Sequence, residues 1–75
     1  MMYVLVYAPT GIVGEDGSLV RVYDSYIEAH EIMSKEASYD PELDAPNKHC
    51  CSIDEWHATN DCYDPNSAEW HIYEA

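Results

Sequence analysis

The spacing of apolar positions changes period several times along this chain. Tyr3-Val4-Leu5-Val6-Tyr7-Ala8 is an unbroken β-branched and aromatic run closed by Pro9. Such a run predicts a strand that is apolar on both faces. Residues 10–18 carry Gly11, Gly14 and Gly17, and Glu15-Asp16-Gly17 is a turn signal. Leu19-Val20-Arg21-Val22-Tyr23 predicts a second strand. A connection of about nine residues is long for a hairpin but compatible with an antiparallel pair.

The period then lengthens to that of a helix. Tyr26, Ala29, Met33 and Ala37 fall in a narrow arc at about 100° per residue, flanked by His30 and Ile32. Glu28, Glu31 and Lys35 lie opposite. Ser25 and Glu28 have capping-box spacing, in which the hydroxyl accepts from the amide three residues on. The helix is predicted over residues 25–38. It stops before Asp40-Pro41, because a residue preceding proline avoids the helical region.

Residues 41–48 read as a loop with Pro41 and Pro46, and Asp40, Glu42 and Asp44 supply its acids. Residues 49–59 fit two patterns. Cys51, Ile53, Glu55 and His57 alternate with Cys50, Ser52, Asp54 and Trp56, as in a strand. Ser52 and Glu55 also have capping-box spacing, which allows a short helical turn. The alternation favours a strand. Residues 60–67 form a turn region marked by Asn60-Asp61 and Asp64-Pro65-Asn66. Residues 68–74 predict a last strand, with Trp70 and Ile72 on one face and His71 and Tyr73 on the other.

The expected order is therefore β-β-α-β-β, an α+β fold in which one amphipathic helix covers an antiparallel sheet of about four strands. The other sheet face is expected to be Tyr-rich, partly exposed and suited to a partner or a dimer. The 75 residues suffice for one domain, residues 1–75. A core of this size supplies only about 3–5 kcal/mol of net stability. No apolar stretch reaches membrane-spanning length, and MMYVLVYAP lacks the basic and long apolar regions of a signal peptide. A reducing cytoplasm is the expected location. The odd number of cysteines (Cys50, Cys51, Cys62) argues against a closed disulfide framework.

Charge narrows the functional classes most. Fifteen acidic residues face three basic ones, for a formal net charge of −12. A hydrophobic content of 47%, with seven Tyr and two Trp, separates the chain from a disordered polyelectrolyte. Its field repels nucleic acid, anionic membranes and nucleotide substrates, and attracts basic surfaces. Residues 1–23 carry −1, residues 24–46 carry −6 and residues 47–75 carry −5. Glu28 and Glu31 on the outer helix face, continued by Asp40, Glu42 and Asp44, make a predicted partner-binding row roughly 20 Å long. Duplex DNA carries one charge per about 1.7 Å of axis, so such a row can occupy a phosphate-binding groove. The bland alternative is a solvated surface that keeps the protein soluble.

Other chemistry is weaker. His49, Cys50, Cys51, His57 and Cys62 offer zinc-type donors, with Cys51, His57 and Cys62 the best set. No C-x-x-C spacing is present, and adjacent Cys50 and Cys51 on a strand would face opposite ways. Calcium at Asp61, Asp64 and Asn66 lacks the loop glycine and bidentate glutamate of an EF-hand. Less than stoichiometric zinc and no cofactor are therefore expected. No nucleophile elbow or dinucleotide glycine pattern appears, and Glu15 and Asp16 would repel a phosphate, so the chain is not read as an enzyme. The Tyr and Trp residues divide between core packing and partner anchoring.

Val22-Tyr23-Asp24-Ser25-Tyr26-Ile27-Glu28-Ala29, together with Glu69-Trp70-His71-Ile72-Tyr73-Glu74, resembles small acidic proteins of phages and mobile elements of low-GC bacteria. The likeness covers the helix entry and last strand, about a fifth of the chain. It implies fold and genetic context and transfers no site. In size and charge the chain is similar to DNA-mimic anti-CRISPR inhibitors. The expectation is a non-enzymatic, phage-encoded inhibitor that blocks a basic nucleic-acid-binding groove, such as that of a host defence nuclease. The contrasting expectation is a small homo-oligomeric structural or regulatory protein whose acidity only solubilises it.

Overall fold

In the computed structural model, residues 1–61 and 68–75 are described, with Cys50 described by its backbone alone. The strands are β1 (Tyr3–Ala8), β2 (Leu19–Tyr23), β3 (Tyr39–Asp40), β4 (Ala45–Pro46), β5 (Cys51–Ile53), β6 (His57–Asn60) and β7 (Ala68–Glu74). Helix α1 spans Tyr26–Ala37, and a 3-10 turn covers Lys48–Cys50. Five strands form one sheet in the order β2-β1-β7-β6-β5, with every neighbouring pair antiparallel. Strands β3 and β4 form a separate two-stranded hairpin. The fold is α+β, as the patterning predicts.

The helix joins the two edges of the sheet. The chain leaves edge strand β2, crosses one sheet face as α1 and enters the opposite edge at β5. It then returns through β6 and β7 to pair with β1. Ser25 caps the helix, its hydroxyl accepting from the Glu28 amide at 3.4 Å. Ala29, Met33 and Ala37 are fully buried against Leu5, Ala58, Trp70 and Ile72. Two of the three inward residues are alanines, so the helix backbone lies close over the sheet.

Strands β1 and β2 are joined by consecutive tight turns. The Glu15 amide bonds the Ile12 carbonyl at 3.3 Å, and the Ser18 amide bonds Glu15 at 3.1 Å. The third residue of each turn is a glycine with positive φ, Gly14 at 92° and Gly17 at 93°. A side chain at either position would be strained. These glycines are turn formers.

Three features depart from the predicted arrangement. The sheet has five strands, because residues 51–60 form a hairpin after the 3-10 turn at Lys48–Cys50. The chain reverses at Glu55-Trp56, closed by a 2.7 Å bond from the Asp54 amide to the His57 carbonyl. The strand reading holds for Cys51–Ile53 and His57–Asn60, interrupted by the reversal, and no helical turn starts at Ile53. The loop of residues 41–48 contains the β3–β4 hairpin. Its strands are two residues each, too short for any periodicity to register. Third, the helix-free sheet face is not Tyr-rich. The β1 register puts Tyr3, Tyr7 and Tyr23 beneath the helix and Val4, Val6, Val20 and Val22 on the open side, with Tyr73 beside them. A β-branched run fills both faces of β1, so alternation alone does not say which face takes the helix.

Candidate functional site

Among the described residues, eleven carboxylates are exposed: Glu15, Asp16, Asp24, Glu28, Glu31, Glu42, Asp44, Asp54, Glu55, Asp61 and Glu74. Lys35 and Lys48 are the exposed bases. Arg21 is engaged elsewhere, in a bidentate pair with Glu36 at 2.6 and 2.7 Å. Glu36 also accepts from the Trp70 indole at 3.0 Å. Arg21 holds the Glu36 carboxyl below its usual range, against partial burial, and Trp70 adds to the effect.

Four of the five residues predicted for the partner-binding row stand at the surface. Glu28 and Glu31 project from the outer side of α1, and Glu42 and Asp44 from the tip of the β3–β4 hairpin. Asp44 takes φ 51° and accepts from the Tyr39 hydroxyl at 2.7 Å. Asp40 is the exception. It is buried, and its two oxygens accept from Asn47 Nδ2 and the Glu42 amide, each at 2.9 Å. The Asn47 bond first, then the Glu42 and Leu43 amides, pull its carboxyl below the usual range. Asp40 fastens the hairpin and leaves the row. An aspartate before proline can hydrogen-bond its own backbone two residues on, and here that use wins over solvent.

The fold adds acids that the pattern does not assign. The β5–β6 turn docks beside the first half of α1. The Tyr26 hydroxyl donates to the Glu55 carbonyl, and His30 Nε2 donates to the Asp54 carbonyl at 3.1 Å. Asp54 and Glu55 thereby join the helix end that bears Glu28 and Glu31. Trp56 lies at the turn, 43% exposed, with ring centroids 4.9 Å from Tyr26 and 6.5 Å from Tyr3. The acids of Asp54-Glu55-Trp56 are visible in the sequence, but its strand-like alternation conceals the turn that presents them.

A second cluster lies on the opposite face of the molecule. β6 pairs with β7 so that His57 sits opposite His71. The Ile72 amide bonds the Trp56 carbonyl at 2.8 Å, so by alternation the His57–His71 pair is the closer, non-hydrogen-bonded kind. Their rings are 4.7 Å apart. Glu69, two residues before His71, shares that face. Its Oε1 accepts from His57 Nε2 at 3.2 Å and from His71 Nε2 at 3.1 Å. All three side chains are half-buried, between 24% and 39% exposed. Their nearest donor atoms lie within 4.8 Å of one another.

The predicted best zinc set does not assemble. Cys51 pairs with Asn60 and faces the helix side, where its thiol donates to the Asn47 carbonyl at 3.4 Å. His57 faces the other way, because the reversal at Glu55-Trp56 breaks the alternation that linked them. Cys62, Asp64 and Asn66 lie outside the described residues, as does the Cys50 side chain. No helix is long and apolar enough to cross a membrane among the described residues. Comparison with protein-family models, curated proteins and solved structures gives no match to this chain.

Proposed function

We propose that this chain is a non-enzymatic interaction protein of the anti-CRISPR-like, phage-encoded kind. It acts in the host cytoplasm by laying its acidic surface into a basic, nucleic-acid-binding groove of a defence nuclease. The observation that carries this reading is the imbalance of exposed charge among the described residues, eleven carboxylates against Lys35 and Lys48. The body is 36 Å long and 17 Å across its thinnest axis. Duplex DNA of that length carries about 20 phosphate charges on its two strands, so six carboxylates in a row stand in for a part of one side of the duplex. Glu28, Glu31, Glu42 and Asp44 provide the row, extended by Asp54 and Glu55. Trp56 supplies an aromatic anchor between carboxylates, a combination suited to Arg and Lys on a partner.

A second reading has its own support. Leu19, Val20 and Val22 are about half exposed on edge strand β2. An uncovered apolar edge favours strand-to-strand self-association. In that reading the valine edge makes a homo-oligomer and the acids only solubilise it.

The test measures affinity for a host defence nuclease with wild type and with Glu28→Lys, Glu31→Lys and Asp44→Lys combined, at two salt concentrations. Added duplex DNA serves as competitor. The proposal expects DNA to compete, salt to weaken binding, and the triple variant to associate about tenfold more slowly or worse at low salt. Equal affinities in all four conditions remove the acidic surface from the mechanism and pass the role to the valine edge.

A further inference from the structure

We propose that His57, Glu69 and His71 form a binding site for one divalent transition-metal ion of the zinc class, on the sheet face away from the helix. Three elements of geometry carry this. The donors sit on two paired strands, which fix their Cβ positions: His57 opposite His71, and Glu69 two residues away on the same face. The two Nε2 atoms already converge on one carboxylate oxygen, at 3.1 and 3.2 Å. Two ligands of a tetrahedral zinc, each at about 2.0–2.1 Å, stand about 3.3 Å apart. The two nitrogen–oxygen separations match that spacing, and all three donors lie within 4.8 Å of one another, so rotation of the half-exposed imidazoles toward a common point completes the fit. His71 is steadied by stacking on Tyr73, with centroids 6.2 Å apart.

The donor chemistry selects the ion. Two imidazole nitrogens and one carboxylate suit zinc, copper, nickel or iron, whereas calcium takes six to eight oxygens and magnesium keeps its waters. Ligation through Nε2 uses the tautomer whose proton is on Nδ1, which turns both Nε2 lone pairs toward the ion. Three protein ligands leave a fourth position, facing solvent, for water or a donor from another molecule. The net charge of −12 raises the local concentration of any dication. It cannot by itself choose zinc over magnesium, so selectivity is the diagnostic.

Calorimetric titration of ZnCl2 into chelator-treated wild-type protein at neutral pH tests the site. The expected result is one zinc per chain, undisturbed by millimolar Mg2+. His57→Ala and His71→Ala should each weaken it about 100-fold or more, beyond the 10–100-fold typical of losing an outer-shell partner. His49→Ala and Cys51→Ser should leave it unchanged. NMR of the imidazole protons in unmodified protein gives an arm that needs no variant. Zinc should move the signals of His57 and His71 and spare His30 and His49. Absence of saturable one-to-one binding overturns the proposal. So does zinc binding that survives in both histidine variants, or equal competition by magnesium, or shifts confined to His30 or His49.

Discussion

Asn60 is fully buried, and its side-chain amide donates to the Ala37 carbonyl at 2.6 Å and the Tyr39 carbonyl at 2.9 Å. Ala37 ends the helix, so its carbonyl is one that the helix itself leaves without a partner. One strand residue therefore closes the end of α1 and ties it to the start of the β3–β4 hairpin. Asn60→Ala should destabilise by about 2–4 kcal/mol, since two buried carbonyls lose a donor. Urea unfolding checks this, and a loss under about 0.5 kcal/mol would mean water replaces the amide. Glu36 makes a pH-dependent contribution of known sign. Its folded carboxyl is depressed, chiefly by Arg21, from the ordinary value of 4.5. The stabilisation is thus fully present above that value and is lost as pH falls through the lower folded one. The stability gap between wild type and Glu36→Gln should be constant near neutrality and shrink steadily below pH 4.5. A gap that stays constant down to the acid transition would deny the Arg21 pair its role. Asp40 shifts in the same direction through Asn47, so acid should loosen the hairpin too.

The helix is legible in the sequence because twelve residues give the 3.6 period more than three turns in which to repeat. Met33 lies at the centre of that face and is fully buried. Met33→Ala should cost about 2–3 kcal/mol, a loss set by transfer and cavity together. An unchanged melting temperature would show that α1 does not depend on this contact. Strands β1, β2 and β7 were equally readable, since each is five residues or longer and rich in β-branched or aromatic side chains. The hairpins were not. Strands of two to four residues leave no room for a pattern, and the reversal at Glu55-Trp56 inverts the parity that an alternation count assumes. That inversion separates Cys51 from His57 and brings His57 to His71.

Across the whole molecule, charge and burial are divided between faces. The outer helix side, the β3–β4 tip and the β5–β6 turn bear the carboxylates proposed to meet a basic partner. Reversing Glu28, Glu31 and Asp44 to Lys together should slow association and leave the fold intact, because exposed charges contribute little to stability. Reduced self-repulsion should leave the triple variant as stable as wild type or slightly more so. Parallel melting and binding measurements on the same preparation separate the two effects. A variant that unfolds would locate these residues in the fold and not in recognition. The helix-free face has a different composition, valines toward β2 and the His57–Glu69–His71 cluster toward β6, so metal binding and partner binding are separable by mutation.

What the sequence determined alone were properties of composition or short range. Net charge is independent of fold. The α1 face and its Ser25 cap follow from neighbours three and four residues apart, and the outward placement of Glu28 and Glu31 follows from that face. Glu69 and His71 could also have been paired from sequence, since strand residues two apart share a side. Tertiary structure decided everything that depends on register. His57 reaches Glu69 and His71 only because β6 and β7 pair with His57 opposite His71, and no local rule fixes that pairing across the intervening chain. Asp40 turned inward because Asn47, seven residues later, supplied a donor, and Asn60 became a core residue because a helix end needed one. Each is a choice between water and a protein partner, made only when distant segments of chain come together.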